Sequence, residues 1–91
     1  MPQLFKMGGY VVFFWSNEGM PAEPIHVHIA KTPGPAATKV WITHNGGALV
    51  ANNNSKIPSN DLKTLLRAIE ANSERIIRKW KEHFEEVSYY C

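Results

Sequence analysis

The hydrophobic pattern of this chain changes its period at Pro58, and this change constrains the fold more than any other feature. Before Pro58, short runs of β-branched and aromatic residues are separated by stretches rich in Gly, Pro and Asn, as expected of strands joined by turns. After Pro58, apolar residues recur at intervals typical of an α-helix. Strands followed by helical sequence, without regular alternation of the two, predict an α+β domain.

Three strands are predicted over residues 10–16, 25–30 and 38–44. A short fourth strand is predicted over residues 48–51, after an Asn-Gly-Gly turn. Residues 1–9 are interpreted as a lead-in that ends in a Gly-Gly turn. The connections are too short for parallel crossovers, so we expect a small antiparallel sheet of three to four strands.

The C-terminal helical segment is too long to be one straight helix. A single helix over residues 60–86 would be about 40 Å long at 1.5 Å per residue, whereas a domain of this size is about 30–35 Å across. Asn72-Ser73 is the weakest helical pair within it. We therefore expect a kinked helix or two helices, packed on one face of the sheet. The residues expected to make this contact are Leu65, Leu66, Ile69, Ile76, Ile77 and Trp80.

The second predicted strand carries two histidines, His26 and His28, that alternate with aliphatic residues. Because side chains alternate between the two faces of a strand, both imidazoles point to one side and the aliphatic side chains to the other. Lys39 and Trp41 can share the histidine face on the next strand. We expect the helices to cover the aliphatic face and the functional site to lie on the opposite one.

Composition and charge narrow the class of protein. A chain of 91 residues with 44% hydrophobic content is expected to form one domain, residues 1–91. The net charge of +2 does not single out nucleic acid, and acidic residues alternate with Arg75, Arg78 and Lys79 on the helical segment. The single cysteine, Cys91, cannot form an internal disulfide. The longest apolar run, residues 10–15, is too short to span a bilayer, so we expect a cytoplasmic protein with no membrane partner.

Three short motifs follow one another in a recognisable order. They are Ser16-Asn17-Glu18-Gly19, Glu23-Pro24-Ile25-His26-Val27-His28 and Lys39-Val40-Trp41-Ile42. In this order they resemble a bacterial family known as domain of unknown function four-one-six-zero, and the resemblance extends over nearly the whole chain. The family brings no established activity. It implies a second small gene beside this one, an arrangement similar to toxin–antitoxin pairs.

The two histidines suggest a metal site as one possible chemistry. Histidines at positions i and i+2 of a strand have Cα atoms about 6.6 Å apart, close enough to bind one ion. A catalytic site needs three protein ligands, so Glu18, Glu23 or His44 would have to complete it. A hydrogen-bonded or solvated histidine pair is the simpler interpretation, and no cofactor is predicted.

A histidine-dependent ribonuclease or phosphodiesterase, with or without metal, is the alternative function. His26 or His28 would act as general acid or base, and Lys39 would stabilise developing charge. Trp41 offers a surface on which a base could stack. No nucleophile, phosphate-binding loop or carboxylate pair accompanies these residues.

The favoured function is a small binding module that contacts a protein encoded nearby and forms a homodimer. A small domain rich in aromatic residues has difficulty covering its own apolar surface, and exposed apolar patches usually mark a partner site.

The last three residues of the chain are expected to be frayed. The predicted ligand-binding residues are Glu18, Glu23, His26, His28, Lys39 and Trp41.

Overall fold

The computed structural model describes residues 3–16 and 23–91. It contains one antiparallel sheet followed by two helices, so the predicted α+β class is confirmed. The strands neighbour one another in chain order. Among the described residues, no helix has the length and apolarity needed to cross a bilayer. The elements are β1 (Gln3–Met7), β2 (Tyr10–Phe13), β3 (His26–Ala30), β4 (Thr38–Ile42), β5 (Ala48–Asn52), α1 (Ser59–Ala71) and α2 (Ser73–Phe84).

The sheet has five strands rather than three to four, because residues 3–7 form β1. The interpretation of this stretch as a lead-in is wrong. Gly8 and Gly9 have φ angles of 56° and 81° and join β1 to β2 as a two-residue hairpin, a geometry that glycine adopts at no steric cost. Leu4, only 3% exposed, fixes β1 to the core. The short strand predicted over residues 48–51 is confirmed as β5.

The faces of the sheet are separated as the alternation in β3 and β4 predicts. Val27 pairs with Val40, and both side chains are fully buried on the side that the helices cover. All helix residues predicted for this contact lie in the main core or against it. Its members include Ile25, Val27, Ile29, Val40, Ile42, Leu65, Ile69, Ile76 and Trp80, with Leu66 and Ile77 partly buried beside them.

Asn72 divides the C-terminal segment into two helices, as predicted for the Asn72-Ser73 pair. Its backbone N–H donates to the carbonyls of Ala68 and Ile69 at 3.1 Å, and its side-chain amide donates to Ala68 at 2.8 Å. Its own carbonyl accepts a hydrogen bond of 3.0 Å from the Ile76 N–H, which belongs to α2. The longest dimension of the molecule is 33 Å. A continuous helix over the same residues would be about 39 Å long and would extend beyond the sheet.

A second, smaller cluster covers the centre of the opposite face. Phe13 is fully buried there, and the Trp15 ring packs edge-on against it with centroids 5.0 Å apart. All four residues of β2 are buried, so the middle of the sheet is covered on both sides. This face becomes more exposed towards β5, where Leu49 and Ala51 reach solvent. The cluster consists of Val11, Phe13, Ala30 and Ala37, with Trp15 against it.

The chain returns to the sheet after α2, and we call residues 86–91 the tail. The Ile25 N–H donates to the Ser88 carbonyl at 2.8 Å, and the His44 N–H donates to the Cys91 carbonyl at 2.9 Å. The expectation that the last three residues are frayed is therefore wrong, because main-chain hydrogen bonds and apolar contacts fix them in place. The tail residues packed against the main core are Val87 and Tyr89.

Replacing Ile69 by Ala tests the packing of α1 on the sheet. Ile69 is fully buried, so Ile69→Ala should lower the free energy of unfolding by about 2–5 kcal/mol through lost transfer energy and a residual cavity. Arg67→Ala, on the exposed side of the same helix, should change it by less than about 0.5 kcal/mol. Urea denaturation followed by circular dichroism measures both. Equal losses for the two variants would contradict the described packing.

Tyr10 connects the sheet to α1 through a hydrogen bond. Its hydroxyl donates to Oδ2 of Asp61 at 3.3 Å. Burial raises the pKa of Tyr10 above its ordinary value of 10.0, and the charge of Asp61 and the hydrogen bond to it raise the pKa further. The folded state therefore holds the phenolic proton more tightly than the unfolded chain. This contribution to stability is present below the unfolded pKa and is lost as the pH rises through the folded pKa.

An alkaline titration tests this contact. The Tyr10 phenol should ionise at a higher pH in the native protein than in the unfolded chain, as shown by the difference in tyrosinate absorbance between the wild type and Tyr10→Phe. The free energy of unfolding should fall more steeply above a pH of about 10 for the wild type than for Tyr10→Phe. Asp61→Asn should move the pKa of Tyr10 towards its ordinary value. If the Tyr10 phenol ionises at the same pH in the native and the unfolded protein, the described contact is incorrect.

Candidate functional site

The register between β3 and β4 brings together four residues predicted for the site. His26 lies opposite Trp41, and His28 lies opposite Lys39. Side chains that oppose each other directly in an antiparallel pair share one face, with Cβ atoms about 4.5–5.5 Å apart. Glu23 joins them through an ion pair, with its Oε1 at 3.3 Å from Nζ of Lys39. Five of the six predicted ligand-binding residues are therefore neighbours.

Both histidines are packed inside the protein rather than solvated. His26 is 0% exposed and His28 is 8% exposed. Nδ1 of His26 donates to the Pro24 carbonyl at 2.9 Å, which places a proton on that nitrogen. The two imidazoles lie edge to face with centroids 5.1 Å apart, and His28 also contacts the Phe13 ring at 5.6 Å. These contacts fix both rings by packing, and they restrict the approach of a substrate.

The expectation that both imidazoles lie clear of the helices is wrong for His26, whereas His28 packs against Phe13 and Trp15. The His26 ring contacts Trp80 of α2, with centroids 5.3 Å apart. The ladder between β2 and β3 reaches only as far as Phe13 opposite His28. No β2 residue therefore flanks His26 within the sheet, and the Trp80 indole contacts the imidazole there. The exposed chemistry of this face must come from other residues.

The structure does not bring a set of metal ligands together within residues 3–16 and 23–91. No three His, Cys, Asp or Glu side chains in these ranges are close enough to hold one ion. Of the residues considered as third ligand, Glu23 pairs with Lys39, His44 is exposed, and Glu18 lies outside the described residues. A histidine pair alone falls short of the three protein ligands of a catalytic zinc site.

The accessible part of this face lies on β4 and β5, where aromatic and aliphatic side chains meet a lysine. Leu49 lies opposite Trp41 and is 45% exposed. The Tyr90 ring of the tail stacks on the Trp41 indole, with centroids 4.7 Å apart and planes 6° from parallel, and is itself 60% exposed. We call Lys39, Trp41, Leu49 and Tyr90 the β4–β5 surface. It is amphipathic, and it borders the edge of the sheet.

Lys39 is oriented by two contacts. Its ammonium lies 4.3 Å from the centroid of the Trp41 ring and 3.3 Å from the Glu23 carboxylate. The side chains of Lys39 and Glu23 are 21% and 37% exposed, and a pair as accessible as this contributes only about 0–1 kcal/mol to stability. Its effect is to position the cation over the indole. An incoming anion would have to compete with Glu23 for this lysine.

Tyr90 is a residue of this surface that sequence reasoning missed. The expectation of a frayed C-terminal end excluded it. A signal was present, because Val87 and Tyr89 alternate with polar Ser88 after the helical period has ended, which is the period of a strand. What the sequence does not indicate is that Trp41 receives the ring.

His83 is a second residue that the sequence did not single out. Its Nε2 donates to the Ser16 carbonyl at 3.0 Å, and its ring packs against Phe14 at 5.7 Å. It thereby attaches the chain at residue 16 to the last turn of α2. No spacing pattern marks this role, because the acceptor is a backbone carbonyl distant in the sequence.

A double-mutant cycle tests the contact between Trp41 and Tyr90. Trp41→Ala, Tyr90→Ala and the double variant should give a coupling free energy of about 0.5–1.5 kcal/mol, as expected for a stacked aromatic pair. Tyr90→Phe keeps the ring and should retain the coupling. Urea denaturation at low protein concentration supplies the values. Additive effects of the two substitutions would show that the rings do not interact.

The family of the chain follows from a sequence comparison. A family model described as "Domain of unknown function (DUF4160)" matches residues 9–81. No curated protein and no solved structure matches the chain significantly. The matched range covers β2 to β5, α1 and most of α2, and it includes Glu23, both histidines, Lys39 and Trp41. The resemblance inferred from the motifs is confirmed, and the chain belongs to the DUF4160 family.

Proposed function

We propose that this chain is a small cytoplasmic protein-interaction module that binds an extended segment of a partner protein along the outer edge of β5. One observation carries the proposal: β5 is the last strand of the sheet and, within the described part of the chain, pairs with β4 alone. The outward backbone groups of such a strand are a template for hydrogen bonds with another chain.

The two edges of the sheet differ in a way that favours β5. β1 carries the exposed cation Lys6 and an irregular register between Gln3 and Phe5, and both features discourage further pairing. β5 reads Ala-Leu-Val-Ala-Asn, without charge or proline, and its pairing is irregular only near Asn52. An uncharged edge strand of this kind accepts another strand more readily than β1 does.

The side chains beside this edge define what kind of segment fits. Leu49 and Ala51 are exposed and project to the same face as Trp41. A strand added to β5 would place alternate side chains beside Leu49, about 4.5–5.5 Å away at Cβ. Because β5 carries no charge, the matching segment is apolar on that face. Trp41 and Tyr90 extend the same apolar area.

The proposed partner is the product of the small gene expected beside this one, in an arrangement like a toxin–antitoxin pair. Support comes from the family resemblance and from the open β5 edge. The chain would supply the sheet, and the partner would supply one extended strand. Main-chain hydrogen bonds give such contacts affinity, and the pockets for alternate side chains give them specificity.

A histidine-dependent nuclease, the alternative function, has less support from the geometry. A general acid or base must reach the proton that it transfers, and His26 and His28 are 0% and 8% exposed. Tyr90 already stacks on Trp41, so a nucleic-acid base would have to displace that ring to use the indole as a platform. Lys39 is engaged by Glu23.

Introducing a charge into β5 tests the proposal. Leu49→Lys should weaken the complex with the neighbouring gene's product by at least about tenfold, because a lysine on an edge strand opposes strand addition. Ala71→Lys places the same charge at the exposed end of α1 and should leave affinity unchanged. The two purified proteins are mixed and their affinity is measured by calorimetry, after circular dichroism has confirmed folding.

Hydrogen exchange locates the contact independently. In the complex, amide protection should rise in residues 48–52 and remain the same in β1. Protection confined to the helices would refute the proposed edge. Equal affinities of Leu49→Lys and Ala71→Lys, or no complex at all with the neighbouring product, would refute the proposal as well.

A further inference from the structure

We infer that two copies of this chain can exchange their tails, residues 86–91, with Glu85 as the hinge. This inference does not rest on the proposed partner protein, since it concerns contacts already present within one chain, although the exchanged dimer and the partner would use the same β4–β5 surface. In the exchanged dimer, the tail of each copy would occupy the same position on the other copy. The second copy is therefore the occupant of the surface that the tail covers in the monomer.

The contacts of the tail do not require it to belong to the same chain. It is attached by the hydrogen bonds from Ile25 to Ser88 and from His44 to Cys91, and by the stacking of Tyr90 on Trp41. The residues outside the tail that make these contacts, Ile25, His44 and Trp41, lie in the sheet or beside it, and none adjoins α2 in the sequence. A tail from another copy could make identical contacts, which is the condition for domain swapping.

The backbone at Glu85 marks the hinge. Glu85 has φ 69°, a left-handed conformation that residues other than glycine and asparagine seldom adopt. Its N–H donates to the Lys81 carbonyl at 2.8 Å, which closes α2 and turns the chain back towards the sheet. An extended Glu85 would remove the unfavourable dihedral angle and direct the tail away from the rest of its own chain, which we call the body. The closed form therefore carries a cost at this position that the exchanged form avoids.

Charge is complementary between the tail region and the rest of the chain. Residues 85–91 contain two carboxylates, Glu85 and Glu86, and no cation. All ten Lys and Arg residues lie elsewhere, together with six of the eight acids, so the remainder carries a formal charge of +4. Residues 85–91 of one copy are thus attracted to the remainder of another copy, as they are to the remainder of their own, although the whole chains have the same net charge.

Exchange also covers surface that one copy leaves exposed. The five Cα-to-Cα steps between Glu85 and Tyr90 span at most about 18 Å when fully extended. The two bodies must therefore touch if Tyr90 of one copy is to reach Trp41 of the other. The β4–β5 surface lies at this junction, and in the single chain its Leu49 and Tyr90 are 45% and 60% exposed. Burying them favours the dimer.

The hinge is tested by a matched pair of substitutions in the chain of 91 residues. Glu85→Gly removes the penalty of the left-handed conformation and should weaken dimerisation by about fivefold or more, as measured by sedimentation equilibrium from micromolar to millimolar protein. Glu86→Gly removes the same charge from a position without positive φ and should have a smaller effect. A strictly monomeric wild type, or equal effects of the two substitutions, would overturn the inference.

Complementation distinguishes exchange from simple docking of two surfaces. Trp41→Ala and Tyr90→Ala each break every stacking pair in their own homodimers. When the two variants are mixed, an exchanged heterodimer regains one intact Tyr90–Trp41 pair. Native mass spectrometry should therefore show the heterodimer at about threefold or more above its statistical proportion. Isotopically labelled and unlabelled Trp41→Ala, mixed in the same way, should give the statistical proportion. A statistical mixture of the two variants would show that each tail stays on its own chain.

Discussion

The structure depends on the burial of the aliphatic residues of β3 and β4 beneath the two helices. Val27, Ile29, Val40 and Ile42 are fully buried there, and each such side chain contributes about 1.5–3 kcal/mol relative to exposure. Because the pleat has a period of two, placing these residues in the core assigns their neighbours to the other face. A shift of one residue would exchange the two sets and bury Lys39. The core therefore determines where the site lies.

The side chains that cover the other face determine which of those neighbouring residues a ligand can reach. Phe13 and Trp15 pack around His28, and Trp80 contacts the ring of His26. The histidines consequently act as packed aromatic residues with polar atoms, whereas Lys39 and Trp41 remain partly exposed. The face expected to hold one continuous site is therefore divided into a buried centre, which contains the histidines, and an accessible margin, which contains Lys39 and Trp41. A ligand that approaches this face meets the margin first, and our proposal of recognition rather than proton transfer rests on this arrangement.

The features that the sequence predicted correctly are those encoded by local patterns. The change of period at Pro58 and the weak helical pair at Asn72 are visible in a few neighbouring residues, and they gave the α+β class and the two helices. β1 was missed because residues 1–9 were interpreted as a lead-in that ends in the Gly8-Gly9 turn, although a Gly pair between apolar runs also joins the strands of a hairpin. Four of the five neighbouring site residues were identified from alternation and Glu23 as a possible metal ligand, yet the burial of the histidines was not predicted, because it depends on side chains far away in the sequence.

The position of the tail, like the burial of the histidines, depends on residues far away in the sequence. The tail also links stability to function. A domain of this length buries only about 60–65% of the surface of its unfolded chain, so the last residues add useful coverage by lying across the end of the sheet. They are attached by few contacts, and segments of this kind open at lower free energy than the core does. A ligand that uses the indole face beneath Tyr90 binds only the molecules in which the tail has moved. Its apparent affinity is then its intrinsic affinity multiplied by the fraction of open molecules. The stacking of Tyr90 on Trp41 therefore lowers the apparent affinity of every partner that needs this indole face, whether that partner is another protein or a second copy of the chain.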